Sequence, residues 1–133
     1  MKKLWVRRDI EAPPGAVWNL LTNLESWPRW GPSIRNVELG GERLGLGEKG
    51  TITTVMGFRL PFEITAFDDG AHWAWKVAGV AATDHTVDPL GDNRCRVGFG
   101  VPVLAAPYLA VCRVALRRLE SMASEREREV RVA

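Results

Sequence analysis

Cysteine is scarce in this chain. Cys95 and Cys112 are the only two, too few for a disulfide framework and without the C-x-x-C spacing of a zinc or redox motif. Both sit among apolar neighbours, where a thiol serves as a small core residue. Histidine is as rare. His72 and His85 fall on strand segments of opposite parity with no thiol or carboxylate at ligand spacing, so no metal is expected. No apolar run reaches the roughly 18 residues of a membrane span, which argues against stable membrane insertion. The opening "MKKLWVRRDIEAP" lacks an apolar h-region and a small-residue cleavage site and reads as a strand, so a cytoplasmic protein is the expectation. Neither sign of charge dominates: 18 Lys and Arg stand against 16 Asp and Glu. Lys2, Lys3, Arg7 and Arg8 form one basic cluster and Arg113, Arg117 and Arg118 another. Neither is interleaved with aromatics in the pattern of a nucleic-acid module, so both read as solvated faces and nucleic acid is not expected as a partner. No Ser/His/Asp grouping, phosphate loop or buried carboxylate pair is recognisable, and no cofactor is expected.

What the chain does have is apolar residues, 46% of 133, enough for the core of a single domain over 1–133. Residues 2–11 read as an edge or two-sided strand ended by Pro13 and Pro14. Proline suits a first helical turn, and Val17, Leu20, Leu21 and Leu24 have the spacing of a buried stripe, so "PPGAVWNLLTN" opens a helix. Ser26 and Pro28 start a second, very short one. Residues 34–39 form a strand, followed by the glycine-rich "GGERLGLGEKG". Within it Gly45-x-Gly47-x-x-Gly50 matches a dinucleotide fingerprint in form. That reading needs a helix to follow, whereas "TITTVM", residues 51–56, is strand-like. A hairpin loop is expected instead.

Alternation continues through residues 58–67, 71–79, 81–88 and 94–103, with "DDG" and "PLGDN" as turns. Phe58, Leu60, Phe62, Ile64 and Ala66 share one face. So do Trp73, Trp75 and Val77, then Thr83, His85 and Val87, then Cys95, Val97, Phe99 and Val101. A helix over 105–127 carries Tyr108, Cys112, Ala115, Leu119 and Met122 on one stripe, and its tail from Ser124 has little to bury and is expected to fray. The elements specify an α+β protein: a seven-stranded antiparallel sheet curled around one long C-terminal helix, with two short helices after the first strand. A twisted sheet need not close tightly on a single helix, and the gap becomes a pocket.

Residues 10–38, "IEAPPGAVWNLLTNLESWPRWGPSIRNVE", resemble the opening of the START/Bet v 1-like (SRPBCC) superfamily, within it the polyketide cyclase/dehydrase and lipid-transport group. The carrying residues are Ala12-Pro13, Val17-Trp18, Leu21, Trp27, Trp30 and Pro32. The Gly45-x-Gly47 loop, the "W.W" strand, "H.V.P" at 85–89, "NRCRV" and the long helix follow in order. The resemblance implies the helix-grip fold and an apolar small molecule held between sheet and helix. It also implies that the short helices close one end of the cavity, with Trp27 and Trp30 as a plug. Some members cyclise or dehydrate polyketides; others carry lipids or sterols.

Two functions are therefore expected as alternatives: a binder of an apolar or aromatic small molecule, and a polyketide cyclase or aromatase, as monomer or homodimer. The expected ligand contacts are Trp30 from the short helices and, on the strand faces, Phe58, Leu60, Phe62, Trp73, Trp75 and Val77, with His85, Val97 and Phe99. Tyr108, Cys112 and Ala115 face them from the helix. His85 is the candidate general base and Tyr108 the candidate hydroxyl. Read as structure, His85 bonds a threonine or the backbone. Asp84 cannot pair with it, because neighbours on a strand point to opposite faces. Arg59 and Glu63 read as an exposed cross-strand charge set.

Overall fold

The computed structural model describes residues 2–132. In chain order it contains β1 (Lys3–Ile10), α1 (Pro14–Thr22), a 3-10 turn (Leu24–Ser26) and α2 (Trp27–Trp30). Then come β2 (Ile34–Leu39), β3 (Lys49–Thr54), β4 (Arg59–Asp68), β5 (His72–Val77), β6 (Val80–Gly91) and β7 (Arg94–Pro102). A 3-10 segment (Val103–Tyr108) leads into α3 (Leu109–Val132). The seven strands form one sheet in the order β1-β7-β6-β5-β4-β3-β2, every pair antiparallel. α3 packs on β1 and β7, and α2 on β2 and α3. The sheet thus grips the helix, which buries Cys112, Ala115, Leu116, Leu119, Met122 and Ala123, a stripe with helical spacing.

The two tryptophans after α1 have a local reason. A helix ends in four carbonyls without helical donors. The Trp27 and Trp30 indole N–H groups donate to Leu21 O and Leu20 O, both at 2.9 Å. Thr22 Oγ1 donates to Trp18 O and the Asn23 amide to Asn19 O. "WPRW" is the C-terminal cap of α1, and its rings become the floor of the core.

The strand alternation expected from sequence fails where the ladder bulges or turns. Phe58 is 61% exposed and lies outside the core. Residues 54–58 are a hairpin turn closed by Thr54 N donating to Phe58 O at 2.8 Å, with Gly57 at φ +90°. For the same reason β3 stops at Thr54, leaving Val55 and Met56 in the turn. A bulge between Ile64 and Ala66 shifts β4 by one residue, so Phe67 instead of Ala66 turns inward, against Trp18 at 5.9 Å. Pro89–Gly91, read as turn, continue β6, with Pro89 opposite Cys95. α3 starts at Leu109, not 105, because Ala105 leaves helical geometry (φ −101°, ψ 22°) and Pro107 follows. It continues to Val132, past the expected end at 127. Gly50, the last glycine of the apparent fingerprint, lies in β3. A Cβ there would meet Glu38 O at 2.3 Å and the Phe62 ring at 2.6 Å, so this glycine serves packing and not phosphate.

β5 and β6 are joined by Ala78-Gly79, with φ of +52° and +79°, the two-residue turn whose twist matches a hairpin. Ala78 holds a Cβ in the left-handed region, at roughly 1–2 kcal/mol. Ala78→Asn, which makes the turn Asn-Gly, is expected to raise stability by about 0.5–1 kcal/mol. Urea denaturation checks it: the midpoint should rise with the slope unchanged.

Candidate ligand cavity

The interior between sheet and short helices is filled. Trp27 stacks on Trp73 (centroids 5.0 Å, 6° between planes), and Trp73 stacks on His85 (3.8 Å, 18°). Trp75 and Phe62 meet Trp27 at 5.4 and 6.0 Å. Phe62, Trp73 and Val97, expected to contact a ligand, are buried in this packing and border none of the described cavities. Trp73 alone leaves its indole N–H without an acceptor among the described residues. Trp30, His85, Phe99 and Cys112 border a recess of about 20 Å³, room for a single water and not for an organic ligand.

Beyond that recess the sheet opens. A cavity of about 340 Å³ lies between the sheet and the segment leading into α3, with Ile34, Ile52, Leu60, Trp75, Val77 and Val101 among its apolar walls. Its shape depends on a bulge in β6: Ala74 pairs with Asp84 and Lys76 with Ala81. Ala82 and Thr83 therefore both oppose Trp75, and both line the cavity. At the rim Ser33 Oγ and Tyr108 OH share a hydrogen bond of 2.7 Å, joining the α2–β2 loop to the start of α3. Burial raises the Tyr108 hydroxyl pKa above its usual value, and the bond to Ser33 partly offsets this. Of the residues expected from sequence, the cavity brings together Leu60, Trp75, Val77 and Tyr108, while Phe58 points to solvent. It adds Ser33, Ile34, Ile52, Ala82 and Thr83. Thr83 shares His85's parity and Ile52 sits amid "TITT", so both were within reach of the alternation; Ala82 was hidden by the bulge. A larger cleft of about 770 Å³ lies between α1 and the β2–β3 loop, but polar residues such as Asn19, Asn23, Glu25, Glu42 and Arg43 line much of it.

His85 sits behind this cavity in a closed chain of hydrogen bonds. Trp75 Nε1 donates to Thr83 Oγ1 at 2.8 Å. The Thr83 hydroxyl contacts His85 Nε2 at 3.1 Å, and His85 Nδ1 contacts Trp73 O at 3.2 Å. A carbonyl only accepts, so Nδ1 carries the proton, Nε2 accepts from Thr83, and the imidazole is neutral. Desolvation lowers its pKa from 6.5 to about 3, against the raising effect of the Trp73 carbonyl. Both ring nitrogens are engaged and neither faces open cavity. Asp84 points to the other side of the sheet, as expected, where it is buried and accepts from Lys3 Nζ at 2.6 Å and bonds His72 Nε2 at 2.8 Å. That cluster ties β1, β5 and β6 together. Arg59 and Glu63 pair with different strands, Arg59 with Glu38 at 3.8 Å and Glu63 with Lys76 at 3.6 Å. Burial pushes the Cys95 and Cys112 thiols up to about 11, which keeps them protonated and poor nucleophiles. The described residues contain no group of three or more potential metal ligands, and none of their helices is long and apolar enough to cross a membrane.

A sheet curled on a long helix, with an apolar cavity at one end, defines a helix-grip protein. The chain belongs to the polyketide cyclase/dehydrase and lipid transport family, whose sequence profile matches residues 1–122. Among solved structures, protein XoxI from Bacillus cereus superposes with a TM-score of 0.73 at 18% identity, over 96% of this chain and 99% of that one. A protein from Thermobifida fusca gives 0.72 at 19% identity over 94% and 95%. MLL2253 from Mesorhizobium loti gives 0.72 at 15% over 93% and 98%. These likenesses concern the fold. No curated protein matches the sequence.

The depressed pKa of His85 links stability to pH. Below about 6.5 the unfolded chain protonates this histidine, while the folded chain does not until about 3. In that window the unfolded state binds more protons, so stability falls as pH falls; above it the effect vanishes. Between about pH 7.5 and about pH 5.5 the loss from this one group is about 1.4 kcal/mol. Urea titrations at both pH values should show this loss in the wild type, and a loss smaller by that amount in His85→Phe. Equal losses would contradict the assignment.

Proposed function

We propose that the protein binds a small apolar or aromatic molecule, of lipid or polyketide type, in the cavity between the sheet and the start of α3. The observation that carries this reading is the unfilled 340 Å³ space beside an interior otherwise filled by packed side chains. Its walls are aliphatic and indole, and its few polar groups (Ser33, Thr54, Thr83 and Tyr108) lie where they would orient a ligand and not bury a charge. The volume equals about eleven waters at ~30 Å³ each, which suits a molecule of one or two rings or a short acyl chain. Burying roughly 200 Å² of apolar ligand surface contributes about 5 kcal/mol, which favours moderate affinity.

Catalysis is the alternative that the family description includes. It requires a group that moves protons at the cavity wall. His85 has no free nitrogen, so the role would fall to Tyr108, whose raised pKa suits an acid better than a base. Binding is the reading favoured by this geometry.

An apolar naphthalene-type fluorescent probe should bind saturably and quench tryptophan emission, since Trp75 forms part of the wall. Ala82→Phe, which fills the space, should weaken binding at least tenfold with little change in unfolding midpoint. Tyr108→Phe should shift affinity by about the 0.5–1.5 kcal/mol of one hydrogen bond. Absence of saturable binding across fatty acids, sterols and aromatic polyketides would overturn the proposal. Wild-type conversion of a polyketide substrate, abolished in Tyr108→Phe with binding intact, would put the cyclase in its place.

A further inference from the structure

The strand register places the α2–β2 loop, the β3–β4 turn, the β5–β6 turn and the β7–α3 connection at one end of the sheet: Ile34 pairs with Thr54, Val77 with Val80, and Lys3 with Pro102. These four connections, residues 31–33, 55–58, 78–79 and 103–108, contain no charged residue. They are far from buried. Leu104 is 99% exposed and Met56 80%, and Val55, Phe58, Val80 and Val103 are exposed beside them. Surface apolar residues scattered singly need no explanation, but this set converges from three separate loops on one feature. That feature is the cavity mouth, since Ser33, Ala105 and Tyr108 line the cavity from these connections, and Thr54, Val80 and Pro102 from the strand ends beside them.

Charge is sorted along the same axis. Exposed Lys2, Arg35 and Arg59 flank the mouth at the strand ends, and only the exposed Glu38, 3.8 Å from Arg59, stands against them there. Counted in the same way, with the strand ends, the far end carries Glu11, Glu42, Glu48, Asp68, Asp69 and Asp92 against Arg43, Lys49 and Arg94, the last paired with Glu11 at 3.0 Å. The molecule is therefore electrically polar, with an apolar, basic-flanked mouth and an acidic rear.

We infer that the mouth docks on an anionic lipid bilayer, with the apolar loop tips entering the headgroup region and the flanking cations facing lipid phosphates. The inference deepens the binding function proposed above and rests on it: an apolar ligand would pass between bilayer and cavity without crossing water. Peripheral docking of this kind combines buried apolar area with attraction to anionic lipid. The charge sorting favours a bilayer over a second copy of the chain. A two-fold pairing sets residue i against residue j and j against i, and with Lys2, Arg35 and Arg59 facing the single carboxylate Glu38, a second copy would leave cations unmatched where anionic lipid would match them.

The test is co-sedimentation of the full chain with phosphatidylcholine vesicles prepared with and without phosphatidylglycerol, at low and high salt. Binding is expected to the anionic vesicles, weakened by salt. It should fall at least tenfold in Met56→Glu and in Leu104→Glu, two exposed positions where circular dichroism should report an unchanged fold. Arg35→Glu should abolish the preference for anionic lipid. No sedimentation with either vesicle, or equal sedimentation of wild type and both Glu variants, would overturn the inference. So would a stable dimer in solution that the Glu variants dissociate. The soluble probe reads the cavity separately: the Glu variants should retain full probe affinity. Vesicle binding with no probe binding would remove the proposed function while leaving a docking face; probe binding with no vesicle binding would remove the docking face alone.

Discussion

The stack of Trp27, Trp73 and His85 is the contact on which the rest of the molecule is arranged. It joins the short-helix segment to the middle of the sheet with ring separations of 5.0 and 3.8 Å. Three aromatic planes in series occupy the space where a deeper pocket would otherwise lie. The stack also fixes the imidazole: with one nitrogen against a backbone carbonyl and the other against Thr83, a ring at this depth is stable only as the neutral form. The interior is thus filled by packed rings, and the open space is displaced to one end of the sheet.

That displacement follows from the two bulges and the broken start of α3. The β6 bulge gives Trp75 two small opposite neighbours, Ala82 and Thr83, in place of one large one. Ala105 and Pro107 prevent the helix from beginning where the sheet ends, so no helical side chain reaches over Leu60 and Val77. Tyr108 bridges the remaining gap through Ser33 and keeps the rim in register without filling it. The cavity is a consequence of backbone irregularity more than of side-chain choice.

This explains what could and could not be read from the residues alone. Strand faces carrying Trp73, Trp75, Val97 and Phe99 were legible because alternation is a local property and survives folding. The stripe on α3 was legible for the same reason. Phe58 and Ala66 were misplaced because parity is valid only while the ladder is regular, and neither a hairpin turn nor a bulge has a signature strong enough to announce the shift. Whether an inward residue borders space or solid packing is a further step beyond parity. Phe62 and Trp73 face inward as expected and pack against other rings, because Trp27, nearly fifty residues from Trp73 in sequence, fills the volume between them. The His85 partners were foreseeable in kind, a threonine and a backbone carbonyl, though not as one continuous chain with Trp75.

The pairing of β1 has a consequence in time. Among the described residues its only strand partner is β7, with Ile10 beside Cys95 and Lys3 beside Pro102. During synthesis the first strand must therefore wait, unpaired, until most of the chain has emerged, while β2 to β6 can assemble hairpin by hairpin. Contacts between distant parts of a chain are slow to form, because the loop must close before they stabilise anything. The consecutive charges of Arg7, Arg8 and Asp9 lie on a strand that is solitary for most of that interval, and they make it a poor template for pairing with another nascent chain. Closure of β1 onto β7 is then the event that completes the sheet, and a truncation removing β7 would leave the N-terminal strand with no place to go.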